Sequence, residues 1–179
     1  MKYYYVGLLI SALGFMAVLN SCKSDKQELI ESIKAGEEKL FSDSTLRMND
    51  SIAKVVLGNY LLFSEKYKED TLAAELLFKA ADLSNGLQNP QQSVDLYSNF
   101  IERYPNHQKV AAAVFMQAFL YETALNDKDK AKAKYREFIE AYAQHPLYSS
   151  AKASYDQLDA GISDEQLIDL FEQKQDSLK

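Results

Sequence analysis

Three glutamates share one position of a phrase that recurs along the chain, and paired carboxylates are common acid and base groups in hydrolases. The phrase reads Tyr-x-x-Phe-x-Glu-x-Tyr, and its glutamates are Glu65, Glu102 and Glu140. Hydrolytic carboxylate pairs lie roughly 5 to 9.5 Å apart. Residues separated by two helices, each spaced 8 to 10 Å from the next, lie about 20 Å apart. We therefore predict that these glutamates occupy a solvated helix edge and do no catalysis.

Two histidines share a second repeated position. They are His107 and His145. A catalytic zinc usually has three protein ligands, so two histidines do not make a metal site. We predict that each is a helix-start or turn residue. The sequence also lacks a glycine-rich phosphate loop and a nucleophile elbow, and we therefore expect neither enzyme activity nor a cofactor.

Cys22 is the only cysteine among the 179 residues, so it cannot form an internal disulfide. It follows a basic residue, Lys2, and an uncharged run at residues 5–19. That run is shorter than the roughly 20 residues of a membrane-spanning helix and suits the apolar centre of a secretory signal, although an uncleaved anchor is the alternative. Residues 19–22, Leu-Asn-Ser-Cys, resemble a bacterial lipobox. The expected leader is 1–21, with Cys22 carrying the lipid that holds the mature chain to a membrane.

Charge excludes one class of partner. The formal net charge is −6, and it would become −7 if Lys2 left with the leader. Nucleic-acid binding requires clustered basic residues, so we expect no nucleic-acid partner. The densest basic cluster comprises Lys128, Lys130, Lys132, Lys134 and Arg136. We interpret it as a solvated outer face; contact with an acidic partner or anionic headgroups is the alternative.

The phrase itself indicates the architecture that positions these residues. Its first tyrosines, Tyr60, Tyr97 and Tyr135, are 37 and then 38 residues apart. Apolar residues at helical spacing precede and accompany each copy. A fixed period of this size is typical of stacked helix pairs, in which no pair can bury its apolar face alone.

Caps and breakers divide the chain into units at 25–67, 70–105, 106–143 and 147–161 onward. The first helices of the second and third units are predicted to correspond with a shift of 38, which relates Ala80 to Ala118. Gly86 and Gly161 are predicted to end helices. Asn89 and Pro90 are predicted to start one.

The last segment, 162–179, is predicted to be a capping helix and tail. Ser163 and Gln166 have the spacing of a capping box. An apolar stripe follows and comprises Leu167, Leu170 and Phe171. Residues 22–161 with this segment are therefore predicted to form an all-α solenoid of about three full helix pairs and a degenerate C-terminal pair that closes the stack.

The repeated phrase resembles tetratricopeptide repeats, which place a small residue four positions before the phrase and a proline after it. Val56, Ser93 and Ala131 hold the first position, and Val56 departs from the pattern by its size. Pro105 follows the second copy, whereas Pro146 is displaced and the first copy has no proline. The repeats look most like those of bacterial envelope proteins, such as the D subunit of the outer-membrane barrel-assembly machinery and the Tol-Pal-associated cell-division coordinator.

The resemblance implies a lipid-anchored scaffold, facing the periplasm from the outer membrane, that binds another envelope protein during outer-membrane protein assembly or envelope and division coordination. The alternative is a repeat lipoprotein that captures a small ligand or a cell-wall fragment. In the family, the first helix of each pair lines the groove where partners bind. Counting from Ala80 and Ala118, the expected groove residues are Ala74, Phe78, Ala81, Asn85, Ala112, Met116, Phe119 and Thr123.

Overall fold

The computed structural model describes residues 24–42, 49–161, 166 and 168, and over these residues the chain is helical without strands. Within residues 24–161, the described ranges contain seven successive helices. They are α1 (Asp25–Phe41), α2 (Asp50–Lys66), α3 (Thr71–Gly86), α4 (Pro90–Arg103), α5 (Val110–Thr123), α6 (Lys128–Ala141) and α7 (Tyr148–Ala160). The pairs α1/α2, α3/α4 and α5/α6 form three repeats, and α7 begins a fourth. Helices adjacent in sequence pack against each other, which makes a solenoid.

Side-chain caps start several of these helices. The hydroxyl of Ser24 accepts a hydrogen bond from the backbone N–H of Gln27 at the start of α1, as its capping-box spacing predicts. At α2 the cap is Asn49, and its side chain accepts from the backbone N–H groups of Ser51 and Ile52. Pro90 is the first residue of α4, a position where its missing N–H costs nothing.

The helix α3 ends at Gly86, as predicted, but Gly86 does not adopt the left-handed conformation. The positive φ of this turn belongs to Gln88, at 61°. The cap at Gly161 is confirmed, because Gly161 ends α7 with a φ of 65°. Glycine reaches that region without the steric cost that a side chain adds.

The repeated phrase forms the centre of each helix pair. Its first tyrosine and its phenylalanine are buried in every copy, and the six side chains are Tyr60, Tyr97, Tyr135, Phe63, Phe100 and Phe138. The preceding small position is fully buried as well, at Val56, Ser93 and Ala131. A side chain from the first helix joins them: Phe78 meets the rings of Tyr97 and Phe100 edge-on, each at a centroid distance of 5.4 Å. Phe115 makes the same two contacts one repeat later.

A glycine explains how the first repeat accommodates Val56, which is larger than its counterparts. A Cβ placed on Gly36 of α1 would lie 2.7 Å from Cγ2 of Val56. That distance is inside van der Waals contact, so α1 can approach α2 only because residue 36 has no side chain. The branched valine and the glycine opposite it are a matched pair.

The predicted shift of 38 between α3 and α5 is wrong by one residue. The equivalent ring contacts of Phe78 and Phe115 are 37 residues apart, whereas Tyr97 and Tyr135 are 38 apart. The additional residue therefore lies between α5 and α6, in the turn where Asn126 has a φ of 52°. Because successive residues on a helix differ by 100°, an error of one residue in the shift relates α5 to a different face of α3.

Several predictions lie outside the described residues. These are the leader 1–21, the lipid attachment site Cys22, Ser163 of the proposed capping box and the stripe Leu167, Leu170 and Phe171. Gln166 and Ile168 are helical, in the segment where a helix is predicted. Within the described ranges, no helix combines the length and apolar character needed to cross a membrane.

Candidate functional site

The predicted groove residues fall on two different faces. On α5 they are accessible: Ala112 and Met116 are half-buried, Thr123 is exposed and Phe119 is 41% exposed. On α3 two of them are interior, since Ala74 is 5% exposed and Ala81 is fully buried, whereas Phe78 and Asn85 are half-buried. The prediction is therefore corrected at Ala74 and Ala81. The error arose because the predicted shift of 38, one residue more than the observed 37, assigned a different side of α3 to the groove.

Subtracting 37 from the α5 residues gives the corresponding face of α3. Ala112, Met116, Phe119 and Thr123 correspond to Glu75, Lys79, Asp82 and Gly86, of which Glu75 is half-buried and the others are exposed. We call these eight residues the groove face. Its α3 half is charged, whereas its α5 half is mainly apolar.

Each repeat fixes a carboxylate with the first tyrosine of the phrase. The hydroxyl of Tyr60 donates to Glu37 at 2.5 Å, that of Tyr135 donates to Glu122 at 2.7 Å, and that of Tyr97 donates to Asp82. Burial raises the pKa of all three tyrosines, and the neighbouring carboxylates raise it further. The tyrosines therefore stay neutral and act as donors, which orients one acidic group per repeat.

A pocket of about 280 Å³ opens between α1 and α3, beside the groove face. Its lining comprises Glu37, Phe41, Tyr60, Lys79, Asp82, Leu83 and Gly86. Nζ of Lys79 bonds Oε1 of Glu37 at 2.7 Å, and Phe41 at the rim is 75% exposed. Burial alone would raise the pKa of Glu37, but hydrogen bonds from Lys79 and Tyr60 outweigh it and lower that pKa. The pocket thus pairs apolar walls with a fixed ion pair.

The repeated glutamates are exposed, as predicted. Glu65 forms ion pairs with Lys68 at 2.5 Å and with Arg103 at 3.5 Å, which links the first two repeats. Glu102 and Glu140 are also exposed. Nowhere in the described ranges do three or more His, Cys, Asp or Glu side chains gather as a metal site would require.

Both histidines lie in the turn before a helix, as predicted. Nδ1 of His107 accepts from the backbone N–H of Lys109 at 3.2 Å, and Nδ1 of His145 accepts from that of Leu147 at the same distance. A third residue occupies this position and was not predicted. Asp70 lies 37 residues before His107, and its carboxylate accepts from Leu72 N–H at 2.8 Å. The 37-residue period was the signal that could have identified it.

The basic cluster is largely engaged in local ion pairs. Lys132 reaches Asp159 of α7 at 2.5 Å, and Arg136 donates to the hydroxyl of Tyr155 at 3.1 Å. The pairs Lys130–Asp127 and Lys134–Glu137 lie within the α6 region. Charge reversal at Lys132 or Arg136 would therefore weaken the packing of α7 and would not test partner binding alone.

Comparison with known families agrees with this geometry. Residues 75–107 and 112–145 match the model of the tetratricopeptide repeat. The two matches begin 37 residues apart and end 38 apart, as the added residue between α5 and α6 requires. No curated protein matches the chain significantly. The fold is an all-α tetratricopeptide-repeat solenoid, and such repeats suggest a scaffold for protein–protein interaction.

Proposed function

We propose that this tetratricopeptide-repeat chain is a lipid-anchored, non-enzymatic scaffold of the bacterial cell envelope. It faces the periplasm from the outer membrane and holds a segment of another envelope protein on its groove face. Its pathway is outer-membrane protein assembly or the coordination of envelope and division events. The support for the anchor is the leader-like start and Cys22, and the support for binding is the groove face.

The observation that carries the binding role is the exposure of Phe119. Its ring is 41% exposed on a helix whose opposite side supplies the core, so the fold does not require an aromatic residue there. Met116, which is half-buried, lies on the same side of α5, three residues earlier. Aromatic and methionine side chains are enriched at protein interfaces. A partner segment would place apolar residues against α5 and polar ones against Lys79 and Asp82 of α3.

The position of the proposed lipid supports a role close to a membrane. Cys22 precedes the α1 cap, Ser24, by two residues. Each buried methylene of a lipid chain contributes about 0.8 kcal/mol, so several chains anchor a protein firmly. The first repeat would then stand directly at the bilayer surface, and the groove face would extend away from it.

Site-specific photo-crosslinking in intact cells tests the proposal. A photoreactive amino acid at Phe119 should capture a discrete envelope protein. The same group at Ala133, an exposed residue on the outer side of α6, should not. Cys22→Ser should reduce capture by releasing the chain from the membrane. Equal capture at both positions, or none at Phe119 in a folded and membrane-bound chain, would contradict the scaffold role.

The pocket beside Tyr60 favours a second candidate, the binding of a small ligand or a cell-wall fragment. Its volume of about 280 Å³ and its Lys79–Glu37 pair suit a compact molecule with an apolar part. Binding of cell-wall fragments to the purified chain, lost in Lys79→Met and unaffected by Phe119→Glu, would support this candidate. Absence of binding by calorimetry at millimolar fragment would contradict it.

A further inference from the structure

The second helix of each pair presents three equivalent positions to solvent, and their chemistry differs between repeats. In repeats 2 and 3 they are Gln92, Asp95, Asn99, and Lys130, Ala133, Glu137. In repeat 1 they are Val55, Gly58 and Leu62. All nine residues are exposed, with Val55 at 62% and Leu62 at 52%. The outer face of α2 is therefore apolar where its counterparts are polar or charged.

Gly58 has no explanation among the described residues. A Cβ added there would meet none of their atoms within 4 Å, whereas one added at Gly36 would clash. A glycine inside an exposed helix costs about 1 kcal/mol relative to alanine. A glycine that no internal contact requires, between two exposed apolar side chains, allows another backbone to approach closely.

We propose that the outer face of α2 binds the same face of a second copy of this chain. The two α2 helices would run antiparallel, with a two-fold axis beside Gly58. Val55 lies three residues before Gly58 and Leu62 four residues after it. In this arrangement Val55 of each copy therefore contacts Leu62 of the other, as a self-complementary interface requires.

Charges along the stripe fit the same arrangement. Lys54 and Glu65 border the stripe on the side away from α1, because Asn59 on its opposite border donates to Ser32 of α1 at 3.0 Å. In an antiparallel pair Lys54 of one copy comes opposite Glu65 of the other, and the reverse pair forms by symmetry. Lys54 makes no ion pair with the described part of its own chain. Glu65 pairs with Lys68 and Arg103 of its own chain and is still 65% exposed, so Lys54 of the second copy would join this cluster. Opposite charges at these positions favour the antiparallel orientation over a parallel one.

A pocket beside Val55 could accommodate the side chain of Leu62 from the second copy. It has a volume of about 390 Å³ and lies between α1 and α2, next to Ala35, Ile52 and Val55. Since Leu62 of the second copy lies opposite Val55, its side chain is positioned at this opening. The pocket extends the apolar stripe toward α1 and increases the area that dimerisation would bury.

The interface is small, which sets the expected affinity. Stable complexes bury about 800 Å² per partner, and a stripe two helical turns long provides less. We therefore expect weak, reversible dimerisation in solution. Confinement of both copies to one membrane would raise their effective concentration and favour the dimer. The proposal itself does not depend on the lipid anchor.

Disulfide trapping tests the arrangement in the full chain. Cys22→Ser removes the only cysteine, so new cysteines can be introduced singly. Gly58→Cys should form a covalent dimer about tenfold faster under mild oxidation than Asp95→Cys or Ala133→Cys, because the two-fold axis holds its two copies together. These controls occupy the equivalent exposed positions of repeats 2 and 3. Equal rates for the three variants would overturn the proposal.

A mixing experiment and a solution measurement complete the test. Val55→Cys mixed with Leu62→Cys should yield mixed dimers faster than either variant alone; faster self-dimers would exclude the antiparallel arrangement. Sedimentation of the Cys22→Ser chain should show self-association that Val55→Gln/Leu62→Asn, carrying the residues of repeat 2, abolishes with unchanged helicity. A monomer at all concentrations, or disulfide capture of a different protein by Gly58→Cys in cells without a homodimer, would refute a second copy as the occupant.

Discussion

Repeats 1 and 2 bring their two helices together with different pairs of residues. In repeat 2 the hydroxyl of Ser93 donates to the carbonyl oxygen of Ala81 at 2.8 Å, which joins α4 directly to the backbone of α3. In repeat 1 the same position is Val56, and it packs where Gly36 leaves room. Both residues are fully buried. Close approach is therefore preserved by the pair of facing residues, and the family's small residue is only one way to achieve it.

The turns between repeats differ in the same manner. Asp70 uses a carboxylate oxygen where His107 and His145 use Nδ1, and each accepts from the N–H two residues later. The three turns also share a backbone hydrogen bond. The N–H of each of these residues donates to the carbonyl oxygen of the tyrosine three residues earlier, at 2.9 to 3.0 Å. Proline directly follows the tyrosine in only one of the three turns, at Pro105, since Pro146 is displaced and the first turn has none. Proline at that position is therefore not what gives the turns their shared hydrogen bonds.

The comparison predicts that the deepest positions contribute equally in both repeats. Phe63→Ala and Phe100→Ala should each lower the free energy of unfolding by about 3–5 kcal/mol, because each removes a fully buried ring. Urea denaturation followed by far-UV circular dichroism measures this. Phe119→Ala, which truncates an exposed ring, is the control and should change stability by less than about 0.5 kcal/mol. A much smaller loss for Phe63→Ala would show that repeat 1 is not an integral part of the stack.

The paired residues of repeat 1 should be energetically coupled. Gly36→Ala should destabilise the fold by about 1–3 kcal/mol through overpacking against Val56. Adding Val56→Ala should remove most of that effect, and a double-mutant cycle measures the coupling. Gly58→Ala is the matched glycine control, and at low protein concentration it should stabilise the chain by about 0.5–1 kcal/mol. Additive effects of the two substitutions would refute the pairing.

The turn position should tolerate exchange of its acceptors but not their removal. Asp70→Ala should lower the free energy of unfolding by about 0.5–2 kcal/mol, since α3 loses its N-cap acceptor. His107→Ala removes the acceptor of the turn before α5 and should lower it by about 0.5–1.5 kcal/mol. His107→Asp, which introduces the acceptor of the preceding turn, should retain much of the stability. Thermal unfolding compares the three variants. If His107→Asp is as destabilised as His107→Ala, the contact of His107 with Phe100 matters more than its hydrogen bond.

The acidic turn should make the first two repeats sensitive to low pH. The hydrogen bond from Lys26 and the N–H of Leu72 lower the pKa of Asp70 below its usual value. A folded-state pKa below the unfolded one gives stability that is present above the unfolded pKa, about 3.9, and is lost as the pH falls. Asp70→Asn keeps an acceptor but cannot titrate, so its free energy of unfolding should fall less between about pH 5 and pH 3. Identical pH profiles for the two proteins would contradict this role.

Spacing predicted the helices and their pairing because buried residues repeat with the stack. The period of the phrase located the core tyrosines and phenylalanines, and the same period located both histidines. The period failed to align α3 with α5. One residue is added between α5 and α6, so the second helices of repeats 2 and 3 are 38 residues apart whereas the first helices are 37 apart. A sequence as uniformly apolar as that of α5 offers little contrast between its faces, so the predicted groove residues on α3 were taken from the wrong side.

Contacts between facing helices also could not be predicted from the sequence alone. Val56 departs from the family pattern, and only the structure shows that Gly36 compensates for it. The outer stripe of α2 illustrates the same limit, because Val55 and Leu62 are consistent with a core position until their exposure is measured.

Packing mainly between neighbouring helices has a consequence for how the chain folds. Contacts are local in sequence, and chains with such low contact order fold quickly because few long loops must close. Each repeat can add to the one before it, as in a one-dimensional array. Amide hydrogen exchange should therefore be slowest around Tyr97 and Phe100, which have a repeat on either side, and should quicken toward both ends. The chain would assemble progressively as its helices emerge in order, and it could open from one end while the middle stays folded.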